Sequence, residues 1–286
     1  MTSTGKRKAA ADPAVVSRDG TRIAFECLGE GSPLVLVSSA LADRRDARKL
    51  AGLLARRFTV VNYDRRGRGA SGDAASYAVE REVEDIAALI EHVGGSASVF
   101  GSSSGAVLAL RAAVAGLGID RLALYEPPFV VAPDGFGPPA GFPARIDALL
   151  SEGRRSDAVR EFMTGAQGMP GFMVRMMRLM PREWANLTAM AHTLPYDIAV
   201  MGDTQRGAPL DADAWSAGVR TLVLTGGGSP AGFHRAAESL AGMLPSAEHR
   251  TLPGLNHGAV MMAPKRLAPA LTEFLAEGED SARTPG

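Results

Sequence analysis

Val99-Phe100-Gly101-Ser102-Ser103-Ser104-Gly105-Ala106-Val107-Leu108-Ala109-Leu110-Arg111-Ala112-Ala113 decides how this chain folds. The apolar run from Ala97 to Phe100 predicts a buried strand, and the Ala/Leu/Val series after Gly105 predicts a helix. Between them lies a G-x-S-x-G turn with Ser103 at its centre. A strand–turn–helix of this kind forces its central residue into a strained conformation and projects the hydroxyl from the sheet. Gly101 and Gly105 fit the same reading, because a Cβ there would obstruct the approach of strand and helix. The helix start also points backbone N–H groups toward the serine, where negative charge can be stabilised. The alternative is a plain serine-rich loop, but the motif occurs once and in the required context. Ser103 is therefore the candidate nucleophile.

Composition bounds the rest. The 286 residues suit one large domain or one domain with an insert, and 46% hydrophobic with 22% charged residues is an ordinary globular balance. Lys plus Arg equals Asp plus Glu at 31 each, so nothing points to nucleic acid or an anionic membrane as a partner. The single cysteine, Cys27, excludes an intramolecular disulfide and points to a reducing, cytoplasmic compartment; its place in a predicted strand suggests packing. No apolar stretch is long enough to span a membrane. Residues 1–12 carry basic residues without an apolar core and are expected to be a disordered tail rather than a secretory signal.

Outward from Ser103, apolar runs at Leu34–Val37, Phe58–Tyr63, Arg121–Tyr125, Arg220–Thr225 and His249–Leu252 read as strands, and Ala14–Ser17 with Thr21–Leu28 as a hairpin. Helical patterns lie near 45–56, 79–93, 233–243 and 265–276. Strands alternating with helices predict a mostly parallel sheet covered on both faces. The alternation breaks at a Pro/Gly-rich stretch, 133–143, and residues 143–201 show only helical patterns and hold eight of the twelve methionines. The division expected is a core of 13–130 and 211–278, a helical cap of 131–210 and a polar tail of 279–286.

Four stretches carry a resemblance to the α/β-hydrolase superfamily over residues 13–277. They are Val99 to Gly105, the loop Asp64-Arg65-Arg66-Gly67-Arg68-Gly69-Ala70-Ser71, Tyr125-Glu126-Pro127-Pro128 where the chain leaves the sheet, and Leu252-Pro253-Gly254-Leu255-Asn256-His257-Gly258. The resemblance implies an α/β-hydrolase fold, with a mostly parallel central sheet and a helical cap, and a cap-bearing serine hydrolase. Gly67-x-Gly69-x-x-Gly72 also matches a dinucleotide fingerprint, but Asp73-Ala74-Ala75-Ser76 follows where an apolar helix should open. No cofactor or metal is implied.

A serine hydroxyl needs a base to take its proton. Of five histidines, His257 alone occupies the loop position that the family uses for that base. The resemblance also assigns the oxyanion donors to the backbone N–H groups of Ser104 and Ala40, although Ser38-Ser39-Ala40 stands where many relatives have His-Gly. The acid departs further. Ser229 occupies the place of the usual Asp, and a serine cannot hold an imidazolium as a carboxylate does. Glu126, one strand earlier, is the favoured acid. Asp203 and Asp197 are the other candidates, and a dyad with no acid is a further possibility. The cap methionines, with Phe162, Phe172 and Trp184, are expected to shape an apolar pocket or to pack the cap helices together.

The function expected is hydrolysis of an ester, thioester or lactone of a small apolar substrate, by a monomer or homodimer. Two alternatives are a non-hydrolytic enzyme of the same fold (cyclase, lyase or cofactor-free perhydrolase) and a non-catalytic ligand-binding protein.

Overall fold

The computed structural model describes residues 12–277; the expected tails, 1–12 apart from Asp12 and 279–286, lie outside the described residues. The first half of the chain runs β1 (Ala14–Val16), β2 (Arg22–Leu28), β3 (Ser32–Val37), α1 (Arg44–Leu54), β4 (Phe58–Tyr63), α2 (Val79–His92), β5 (Ala97–Ser102), α3 (Ser104–Val114) and β6 (Ile119–Tyr125). The sheet resumes at β7 (Thr221–Gly226), followed by α10 (Ala231–Met243), β8 (Ala247–Leu252), α11 (Ala259–Met262) and α12 (Pro264–Ala276). Between β6 and β7 lie α4 (Phe142–Ser151), α5 (Arg155–Glu161), α6 (Gly171–Met177), α7 (Pro181–Met190), α8 (Leu194–Met201) and α9 (Ala212–Trp215), with a π turn over Phe162–Ala166. The fold is that of an α/β hydrolase, an eight-stranded, mostly parallel sheet flanked by helices.

The strand order is β1-β2-β4-β3-β5-β6-β7-β8. The β1–β2 and β2–β4 pairs are antiparallel, and every pair from β4 to β8 is parallel. Alternate strand residues face opposite layers. Val35, Val37, Val99, Leu122, Leu124 and Val223 pack against α2, α3 and α10. Leu34, Leu36, Phe100, Ala123, Leu222 and Leu224 pack against α1 and α12. Burial on both faces explains why these strands read as continuous apolar runs. The chain moves from β3 outward to β4 and then back across to β5, so the order reverses between β3 and β5. Parallel sheets place functional loops at the carboxyl ends of strands beside such a reversal.

One local expectation differs from the structure. Cys27 is exposed on β2 rather than packed in the core. In the 67–72 loop, Gly69 makes room for an internal carboxylate: a Cβ there would lie 2.2 Å from Asp64 Oδ2, which accepts from the Ala70 N–H at 2.8 Å. Among the described residues, no helix is long and apolar enough to cross a membrane.

Candidate active site

Ser103 begins where β5 ends. Its φ of 53° and ψ of −126° lie in a region that residues with a Cβ rarely adopt. The turn is held by the Ser103 N–H donating to Tyr125 O at 2.9 Å and by the Ala106 N–H donating to Ser103 O at 2.9 Å. A Cβ on Gly101 would lie 2.3 Å from Gly105 O, so the strand and helix meet there as the sequence indicates. Gly105 is tight for another reason. Its Cβ would lie 2.4 Å from Val37 O and 2.5 Å from Ser38 O, which belong to the end of β3 and the loop beyond it.

His257, after β8, stands between Ser103 and Glu126. Its Nε2 is 3.1 Å from Ser103 Oγ and its Nδ1 is 2.8 Å from Glu126 Oε2. Glu126 is fully buried at the end of β6, with a φ of 49°. Its other oxygen, Oε1, accepts from the Gly226 N–H and from the Ser229 hydroxyl, each at 2.6 Å. Ser229 thus donates to the carboxylate rather than replacing it. Tyr125 Oη donates to Asn256 O at 2.7 Å and pins the histidine loop to β6. Phe233 stacks on the imidazole with centroids 4.6 Å apart.

The structure does not bring the other two acid candidates to His257. Asp203 is exposed and pairs with Arg206 at 2.6 Å. Asp197 is buried on α8, where it accepts from Arg65 Nη1 at 2.7 Å, Arg68 Nη2 at 2.6 Å and Ser104 Oγ at 2.8 Å. Burial alone would push the Asp197 carboxyl up, but the Arg68 and Arg65 guanidinium groups outweigh it and hold the carboxyl below the usual range. The remaining histidines lie elsewhere: His92 against Phe25, His192 near Asp73, and His234 and His249 near Thr225.

Ala40 and Ser104, the two expected donors, line one cavity with Ser103 and His257. Among the described residues, neither of their backbone N–H groups has a hydrogen-bond partner. The cavity holds about 410 Å³ and is walled mainly by apolar side chains, including Phe129, Val130, Phe142, Phe162 and Met201. Of the eight methionines singled out, Met201 alone reaches it. Met163 and Met190 pack between helices, while Met173, Met176 and Met180 are exposed. Phe162 lines the cavity as expected, but Phe172 is exposed and Trp184 bonds Ser156 Oγ at 3.0 Å.

The buried arginines of the loop after β4 are the feature that sequence reading missed. Arg65 makes two bonds of 2.7 Å to Glu82 on α2, and Arg66 bonds Asp85 at 2.8 and 2.7 Å. Their signal was present: Glu82 and Asp85 fall on the same stripe of α2 as the buried Ile86, Leu89 and Ile90. Acids on an apolar face require cationic partners.

A model of the alpha/beta hydrolase family matches residues 34–270. An alpha/beta hydrolase from Sphaerobacter thermophilus DSM 20745 has a solved structure with 49% sequence identity and a TM-score of 0.84, covering 92% of this chain and 99% of that one. The esterase RhEst1 from Rhodococcus sp. ECU1013 shares the fold at 20% identity, with a TM-score of 0.67 and coverage of 94% and 99%. The uncharacterized hydrolase YraK of Bacillus subtilis (strain 168) is 38% identical over 95 residues, which span 32% of this chain and only 35% of that protein. With the family match running from β3 into α12, across every parallel strand, the chain belongs to the alpha/beta hydrolase family.

Proposed function

We propose that the protein is a serine hydrolase that cleaves an ester, thioester or lactone of a small apolar substrate through an acyl-enzyme on Ser103. The observation that carries this reading is the position of His257, 3.1 Å from Ser103 Oγ on one side and 2.8 Å from Glu126 on the other. In the first step, His257 Nε2 takes the hydroxyl proton as Ser103 Oγ attacks the carbonyl carbon. The Ala40 and Ser104 N–H groups receive the oxyanion, and Glu126 fixes the imidazole tautomer and stabilises its protonated form. The tetrahedral adduct collapses as His257 protonates the leaving alkoxide or thiolate. Water then attacks the acyl carbon as His257 takes its proton, and the second adduct collapses as His257 returns that proton to Ser103 Oγ, breaking the acyl–oxygen bond and releasing the acid.

Helices α4 to α8 serve as the cap in this reading. Phe142, Phe162, Ile198 and Met201 present apolar walls to the cavity beside Ser103, which suits an apolar acyl or ring-bearing substrate. Ser229 in place of Asp and the altered Ser38-Ser39-Ala40 loop would suit a non-hydrolytic enzyme of this fold; Glu126, 2.8 Å from His257 Nδ1, supports the hydrolytic reading.

A fluorophosphonate probe with adduct mapping by mass spectrometry tests the proposal without knowledge of the substrate. The expected result is one adduct per chain on Ser103, lost in Ser103→Ala. Folded wild-type protein that leaves Ser103 unmodified overturns it.

A further inference from the structure

We propose that Arg68 is a positioning residue for the oxyanion hole, held in place by Asp197. The inference rests on the acyl-enzyme reading of Ser103. Arg68 Nη1 donates to Ser39 O at 2.7 Å. The Ser39 carbonyl and the Ala40 N–H are the two ends of one peptide unit. That unit is trans, as are all peptide bonds among the described residues, so the two groups point in opposite directions. A donor fixed on the carbonyl therefore aims the N–H the other way, and Ala40 forms part of the cavity wall with Ser103 and His257. A cation bonded to the carbonyl also polarises the amide and makes its N–H a stronger donor. The following residue, Leu41, has a φ of 54°, so the peptide sits in a strained turn that needs an external restraint.

Arg68 is itself restrained at every nitrogen. Its Nε donates to Thr193 Oγ1 at 3.1 Å, Nη2 bonds Asp197 Oδ2 at 2.6 Å, and Nη1 also reaches Ala42 O at 3.3 Å. Asp197 Oδ1 accepts the Ser104 hydroxyl at 2.8 Å, so one carboxylate holds Ser104 directly and the Ser39–Ala40 peptide through Arg68. Arg65 closes the group by donating to Asp197 Oδ1 at 2.7 Å and to Ser38 O at 3.3 Å. Desolvation makes a buried ion cluster a poor way to gain stability. Orientation is what it does supply. A planar guanidinium bonds a carbonyl, a hydroxyl and a carboxylate in fixed directions, which an ammonium does not reproduce.

Arg68→Lys keeps the charge and removes the fork. The test compares its ester hydrolysis with its affinity for an apolar trifluoromethyl ketone. That ketone forms a hemiketal: a bond forms between Ser103 Oγ and the carbonyl carbon, the C=O π pair moves onto oxygen, and the hydroxyl proton passes to His257 Nε2. The oxyanion so formed reports the hole directly. The expected result is a fall in kcat of about 100-fold, as for loss of one oxyanion donor, with KM within about twofold and ketone affinity falling in parallel with kcat. A purely structural defect would lower the melting temperature without this split. Folded Arg68→Lys with kcat and ketone affinity within about threefold of wild type overturns the proposal, as does a lost kcat with unchanged ketone affinity. If Arg68→Lys does not fold, Asp197→Asn is read by the same criteria. Wild-type protein with no adduct on Ser103 removes the acyl-enzyme reading and this inference with it; labelled wild type with an unaffected variant removes this inference alone.

Discussion

Ser229 separates two ways of holding a histidine. Its hydroxyl donates to Glu126 Oε1 at 2.6 Å, and the Gly226 N–H donates to the same oxygen, leaving Oε2 for His257 Nδ1. A carboxyl placed at 229 would face Glu126 across that short gap, and two carboxylates so close do not both ionise. Ser229→Asp is therefore expected to lower kcat/KM by about 100-fold, since it removes a donor and forces a shared proton. Glu126→Ala should cost about 10³ to 10⁴ in kcat, in line with loss of the orienting acid elsewhere. The double change, Glu126→Ala with Ser229→Asp, should regain at least about tenfold over Glu126→Ala by supplying the carboxylate from β7. Steady-state ester hydrolysis checks all three, and a double variant no better than Glu126→Ala would show that 229 offers no route to the imidazole. Glu126 was legible through the family resemblance, which offers the end of that strand as a place for the acid. That Ser229 would bond to it was not, since the two are 103 residues apart.

The turn between β5 and α3 was the most legible element, because its glycines and strained serine are demands of local backbone geometry. The structure adds that Gly105 faces β3. A methyl group there meets Val37 O and Ser38 O, both backbone atoms that cannot rotate away. Gly105→Ala is expected to cost about 3 kcal/mol of stability and to displace the loop carrying Ala40. Gly52→Ala in α1 is the matched contrast. Nothing lies within 4 Å of its added methyl, so it should gain about 0.5 to 1 kcal/mol from helix propensity. Urea titrations of both variants give the comparison, and equal shifts would mean that crowding at Gly105 has been overstated. The loop after β4 was the least legible element. Its arginines look like a solvated turn until Glu82, Asp85 and Asp197 are placed around them.

Across the whole molecule, Asp197 on α8 joins the helices between β6 and β7 to the loops around the candidate site. Because Arg68 and Arg65 hold its carboxyl below the ordinary value despite burial, the unfolded chain protonates it more readily than the folded one does. Its stabilisation is therefore complete above about pH 4 and fades as the pH falls further. Asp197→Asn is expected to cost about 3 kcal/mol at neutral pH, with the gap to wild type narrowing toward about pH 3. Urea midpoints across that range check it, and a gap independent of pH would mean that the carboxylate is not stabilised by its partners. By itself, the sequence determined the order of strands and helices, the strained turn at Ser103 and the loop that carries His257. The strands, helices and turn follow from short-range periodicity and backbone sterics, which a few neighbouring residues dictate, and the histidine loop from its resemblance to the family's. Only the tertiary structure decided which carboxylate meets the histidine, that Asp197 is spent on Arg65 and Arg68, and that Met201 rather than the other singled-out methionines reaches the cavity. Those outcomes are contacts between residues far apart in the chain, 132 positions for Arg65 and Asp197, and only the packing of the layers brings such residues together.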